Sequence, residues 1–302
     1  KNENFDGQFN PRVSAVYSAG AERQHNFRAS YQTGFRNPDT QAQFIFFPLG
    51  VAYLLGGTQE NAERYGVYGD GAYTVASVQA GSPVDANTEY VRPEQLTSYE
   101  VGYKGKLGKN VLVDANYYYA SYSDFIVQQN VISKNATTHK GQTIPAGTVF
   151  RLNTNAKQDL SSQGIGVGLV YQMPKGYRLE GNYSWATFDQ GNVASDFEAG
   201  FNTPENRFSV TLGNREVVKN FGFSISYRWQ DSYLWQNSFA IGEVDAFGVF
   251  DAQVSLKIPS IKTIAKLGAT NLFGDEYVTN VGGPNIGSMY YVSLTFDEFM
   301  RK

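Results

Sequence analysis

The residue types that usually do chemistry are scarce in this chain. It has two histidines, three methionines and no cysteine. That excludes a disulfide framework and a thiolate metal site. His25 reads as a turn residue and His139 as part of a polar loop. Neither has a partner at metal-ligand spacing, so both are expected to be solvated and no metal is expected. No Ser-His-Asp arrangement and no paired carboxylates stand out, so neither enzymatic activity nor a cofactor is expected. Gly164, Gly166 and Gly168 faintly resemble a phosphate-cradling turn, but Ile165 and Val167 alternate with them and no helix follows. The acidic loops near Asp70 and Asp275 lack the ligand spacing of a calcium site. Asn135-Ala136-Thr137 fits a glycosylation sequon, a three-residue pattern too short to carry a function by itself. The net charge is −3, with no reason to expect nucleic acid as a partner.

Two groups of residues remain. The stretch 37–95 holds Phe44, Phe46, Phe47, Tyr53, Tyr65, Tyr68 and Tyr73, with Arg64 and many glycines. Aromatic rings beside polar groups suit stacking on a sugar ring or gripping a peptide or other organic ligand. The plainer alternative is that the stretch packs on its neighbours and caps whatever lies below; the two carry about equal weight, since binding loops must also pack. The second group is charged: Glu100, Asp114, Arg178, Glu180, Arg228, Asp251, Lys257 and Lys266. These could line a permeation path or bind another domain, but ion pairing across adjacent strands is the stronger expectation.

The elements that must position these residues follow from hydrophobic periodicity. Helical periods are almost absent and two-residue alternation is nearly everywhere. Phe221, Phe223, Ile225, Tyr227 and Trp229 point one way, and Gly222, Ser224, Ser226, Arg228 and Gln230 the other. Similar alternation marks 111–119, 164–171, 177–185, 207–212, 250–258 and 288–296. The polar faces carry full charges, which cannot enter a dry core without partners. Tyr and Trp collect toward strand ends, where the interfacial girdles of a transmembrane barrel lie. About 10 residues per strand, tilted about 45°, cover roughly 23 Å, close to an outer-membrane apolar band. The mean hydropathy of −0.38 fits a wall whose lipid-facing residues alternate with polar ones.

Connections alternate between short, at 20–24, 105–110, 173–176, 214–220 and 259–262, and long, at 37–95, 132–149, 188–206, 231–247 and 271–287. Short periplasmic turns and long external loops are the asymmetry of an outer-membrane barrel. The expected fold is therefore all-β, an antiparallel transmembrane β-barrel contributing about eleven strands. With short turns periplasmic, the first strand (11–19) and every odd strand run downward. An odd count starting downward leaves its partner strands ahead of Lys1, so residues 1–302 are expected to be the C-terminal half of a larger barrel.

Three segments carry a family resemblance: SYQTGFRNPDT at 30–40; RPEQLTSYEVGYK at 92–104 with YYYASYSDFI at 117–126; and ATNLFGDEY at 269–277 with GPNIGSMYYVSLTF at 283–296. Together, in this order and in the right alternation frame, the chain resembles the C-terminal barrel part of TonB-dependent outer-membrane receptors. The Arg that the family often carries before the last strand is missing from 283–287, so no role of that residue is transferred. The resemblance implies a 22-stranded barrel with a plugged lumen, placed in outer-membrane lipid. It also implies TonB-driven nutrient uptake, with the plug and TonB contact supplied N-terminally. The eight charges would then face the lumen, and the aromatic loop would capture ligand, a surface lipoprotein being a conceivable partner. A glycan, peptide, iron chelate or cobalamin all remain open as ligand. The alternatives are a non-transporting barrel subunit and a soluble carbohydrate-binding β-sheet protein, the latter requiring the apolar face to pack on a second sheet.

Overall fold

The computed structural model describes residues 5–191, 197–198 and 200–298. Its frame is one sheet of eleven antiparallel strands. These are β1 (Arg12–Ala19), β2 (His25–Arg36), β3 (Glu94–Leu107), β4 (Val111–Ser123), β5 (Leu160–Gln172) and β6 (Tyr177–Asp189). They continue as β7 (Asn206–Val218), β8 (Phe221–Gln230), β9 (Phe247–Ile258), β10 (Thr263–Thr270) and β11 (Met289–Phe296). Each strand pairs with its neighbours in sequence, so the sheet is a meander. It does not close: β1 and β11 each pair on one side only.

Register keeps the alternation in phase across the sheet. Leu107, Val111, Tyr171, Leu179, Leu212, Ile225, Ala252, Ala269 and Tyr290 form one row of cross-strand partners from β3 to β11. Because the side-chain period is two, a one-residue slip anywhere would turn that row over. The apolar face is bare of protein: Ile225 is 47 % exposed, Val101 54 % and Leu267 57 %. An uncovered apolar surface of this extent marks a membrane or protein contact, and the aromatic girdle expected at the strand ends favours lipid. No second sheet packs on it among the described residues.

The turns at 20–24, 108–110, 173–176, 219–220 and 259–262 are short and lie at one end; the long connections lie at the other. The protein-packed core is in those long connections, not in the wall. Phe150, Leu54, Leu55, Leu152, Val67, Val127 and Val131 are among the largest fully buried side chains, and all seven belong to segments 37–93 and 124–159. The long connection is itself a folded unit. Residues 37–93 contain α1 (Thr40–Phe44), α2 (Gln59–Tyr65), α3 (Val75–Gln79) and three short strands.

Candidate functional site

The two longest connections fold into a single module above the wall. Strands Ile126–Ser133 and Val149–Asn155 form a hairpin. Tyr53–Leu55 joins it in parallel, Phe150 opposite Tyr53 and Leu152 opposite Leu55, and Phe46–Pro48 extends the sheet. Ala72–Thr74 and Phe197–Glu198 pair with Ile126–Ser133. Asp39 caps α1, its side chain accepting from Ala42 N at 2.6 Å. α2 is stopped by Gly66 at φ 62°, the left-handed conformation that glycine adopts without strain. The hairpin alternates: Val131, Phe150 and Leu152 enter the core shared with Ala62 and Tyr65, and Val127 a second cluster with Leu160, while Gln128, Asn130, Arg151 and Asn153 pair off on the opposite face.

The eight aromatic-loop residues divide by position. Tyr65 (3 % exposed) and Tyr68 (7 %) are core residues. Tyr68 donates to the carbonyl of Asn153 at 2.9 Å, and burial pushes its phenol well above the usual range. Tyr53 stacks on Phe150 with centroids 5.5 Å apart. Phe46 stacks on Tyr65 and His139. Lys134 Nζ sits 4.7 Å from the centroid of Tyr73. Arg64 pairs with Glu60 one turn back on α2. Phe44 and Phe47 keep half-open rings, and Phe47 meets Phe239 edge-on at 6.1 Å. The open aromatic surface is thus Phe44, Phe47 and Phe239, whereas Tyr65 and Tyr68 hold the module together. Both histidines are also engaged. His139 Nδ1 is 2.6 Å from Tyr65 Oη, and His25 Nδ1 is 2.8 Å from Tyr103 Oη. Neither is a free solvated side chain, which corrects that expectation.

Against the polar face of the hairpin lies a cleft lined by residues 36–42 and 236–238 together with Gln128, Asn153 and Glu198. Gln128 Nε2 donates to Ser238 Oγ at 2.7 Å and to Asn153 Oδ1 at 3.2 Å. Arg151 donates to Asn130 Oδ1 and to the carbonyl of Ser238, both at 3.1 Å, and pairs with Glu198 at 3.1 Å. A buried pair is tolerable only when its remaining hydrogen-bonding capacity is satisfied. Arg151 meets that condition, whereas Glu198 Oε2 has no partner among the described residues. Sequence reasoning missed this set. Its signal is the polar phase of 126–133 and 149–155, which alternates as regularly as the wall.

Register puts all eight predicted wall charges on the face opposite the apolar row. Seven are paired. Arg28 bonds Glu100 at 3.3 Å and Asp114 at 3.1 Å, and Lys104 adds a second cation to Asp114 at 3.3 Å. Arg228 meets Asp251 through two bonds of 2.8 and 3.3 Å. Lys257 pairs with Glu216 at 3.1 Å, and Arg178 with Glu180. Lys266 has no ion-pair partner among the described residues. Gly102 lets the Arg28 network form, since a Cβ there would stand 2.6 Å from Arg28 Nε.

An in-phase antiparallel meander, bare and apolar on one face, charged on the other and looped at one end, is a segment of an outer-membrane β-barrel wall. Residues 1–272 match the family described as TonB dependent receptor-like, beta-barrel. The chain belongs to that family, and its place is the outer membrane. Solved structures agree on the fold. The copper transporter OprC superposes with a TM-score of 0.62 at 16 % identity, over 94 % of this chain and 38 % of that one. The siderophore receptor PirA from Acinetobacter baumannii gives 0.61 at 12 % identity, over 97 % and 41 %. The FrpB iron transporter from Neisseria meningitidis (F3-3 variant) gives 0.56 at 13 % identity, over 95 % and 39 %. The chain therefore spans about two-fifths of the length of these relatives. No curated protein matches it.

Proposed function

We propose that this chain forms barrel wall and external ligand-capture loops of a receptor that takes up a nutrient in a TonB-dependent manner. In that receptor it supplies the C-terminal part of a 22-stranded barrel. The plug, the remaining strands and the TonB contact come from outside residues 1–302. The eight wall charges then face the lumen, where seven of them pair with one another or with Arg28, Lys104 and Glu216 and leave the surface wet but nearly neutral. The observation that carries the reading is the folded module on the long-loop side. It is built from two connections far apart in sequence and holds a polar cleft over the mouth, which is more structure than a passive cap requires.

The test is uptake by cells expressing the complete receptor. Strains with and without TonB are supplied with labelled ferric chelates, copper, neutral oligosaccharides or peptides. The expected result is accumulation of at least one nutrient only when receptor and TonB are both present. Equal accumulation in all strains for every nutrient overturns the reading.

A further inference from the structure

We propose that the cleft against the loop module binds a neutral, hydroxyl-rich ligand of the saccharide class, through the unpartnered carboxylate oxygen of Glu198 and the exposed rings of Phe47 and Phe239. The proposal rests on the transport reading and narrows its ligand.

The first support is the state of Glu198. Its side chain is only 10 % exposed. Oε1 is taken by Arg151 Nη2 at 3.1 Å and by Asn130 Nδ2 at 3.3 Å. Oε2 is buried without a hydrogen-bond partner among the described residues, and Glu198 lines the cleft. A carboxylate only accepts, and an unmade bond to a buried charged group is costly. The cleft therefore asks for a donor at that position.

Charge accounting narrows the donor. Arg36 is bound to Glu94 at 2.7 Å and Arg151 to Glu198, so no cation in the cleft is uncommitted. An anionic ferric chelate needs free guanidinium or ammonium groups to offset its charge. A bare metal ion needs a cluster of ligating side chains, and the described residues contain no group of three His, Cys, Asp or Glu that could hold one. The copper and siderophore names of two structural relatives therefore do not carry over to this cleft. What the cleft offers is two carboxylates, Asp39, whose Oδ1 accepts from Ala42 N, and Glu198, with side-chain amides at Gln41, Gln128 and Asn153 and the hydroxyl of Ser238. Such groups bond vicinal hydroxyls, which donate and accept together.

The third support is the rim. Phe239 follows Ser238 directly, is 65 % exposed, and meets Phe47 edge-on. Two open rings beside a hydrogen-bonding floor can hold the apolar face of a pyranose while its hydroxyls reach downward.

The test is calorimetric titration of the complete purified receptor with maltohexaose, cellohexaose and mannohexaose, and separately with a ferric tricatecholate chelate, Cu(II) and trilysine. At least one hexasaccharide is expected to bind. Glu198→Gln is expected to weaken it at least tenfold, and Phe239→Ala several-fold with an unchanged melting temperature. If Glu198→Gln lowers the melting temperature, the exposed Phe239→Ala variant decides. The proposal is overturned if no hexasaccharide binds, or if neither substitution weakens binding. It is equally overturned if the ferric chelate, Cu(II) or trilysine binds and Glu198→Gln weakens that binding. A ferric chelate taken up with TonB but bound elsewhere would leave transport standing and remove the saccharide class. Saccharide binding without TonB-dependent uptake would do the reverse.

Discussion

Tyr65 Oη and His139 Nδ1 share a 2.6 Å hydrogen bond that ties two loops together across 74 residues of sequence. Phe46 stacks on the same imidazole. Loss of water around the ring, with Lys140 and Arg64 nearby, holds the imidazole below its ordinary pKa. The folded module therefore favours neutral His139. Above about pH 6.5 both folded and unfolded forms are neutral, and the contribution is complete. As pH falls from there toward the lowered folded pKa, only the unfolded form takes up the proton, so stability declines. Hydrogen exchange in residues 46–48 and 53–55, corrected for intrinsic rate, should show protection falling between pH 7.5 and 5.5. His139→Asn should be less protected at pH 7.5 and should lose the pH dependence. An equal pH response in both proteins would refute this role.

The module's core should be separable from the wall. Phe150 is fully buried and supports Tyr53. Phe150→Ala should cost about 3–5 kcal/mol of module stability. Limited proteolysis should then cut within 37–93 and 124–159, while the heat-resistant barrel band on a cold gel persists. Loss of that band would show that the wall depends on the module.

The two wall faces should respond oppositely to charge. Ile225 and Ser226 are adjacent on β8, one on the apolar row and one opposite Asp251. Ile225→Arg should cost about 2–4 kcal/mol in vesicle refolding, the range for an arginine near the bilayer midplane, and Ser226→Arg far less. Equal costs would contradict the face assignment.

Gly222 marks the point where the β7–β8 turn cannot accept a side chain. A Cβ there would stand 2.6 Å from the carbonyl oxygen of Arg215, inside the irregular stretch between Asn214 and Val218. The obstacle is backbone, so it cannot rotate away. Gly222→Ala should destabilise by about 1–3 kcal/mol, read as a lower denaturant midpoint in vesicles. An unchanged midpoint would show that the turn is plastic.

The wall was legible because lipid imposes a period of two on every strand, and Phe221–Gln230 shows it without a break. The module was not. Its strands at Phe46–Pro48 and Tyr53–Leu55 are three residues long, too short for any period to declare itself, and Tyr53–Leu55 is held in parallel by Phe150–Leu152, 97 residues away. α1 and α2 have five and seven residues; only the cap residues Asp39 and Thr58 announce them. Tyr65 and Tyr68 show why composition misleads at such a site: a tyrosine that grips a ligand and one that bonds a buried carbonyl look alike in sequence. Glu198 gave no local signal, because its importance comes from what fails to meet Oε2.

The parallel pairing of Tyr53–Leu55 with Phe150–Leu152 makes the outer surface a joint property of two distant stretches of chain. Neither can be exchanged alone without exposing the other's half of the core. Grafting recognition from one receptor of this kind to another should therefore succeed only when residues 37–93 and 124–159 travel together with the connections that carry Glu198 and Phe239, which makes the set of packed loops, rather than the single loop, the unit by which specificity is inherited.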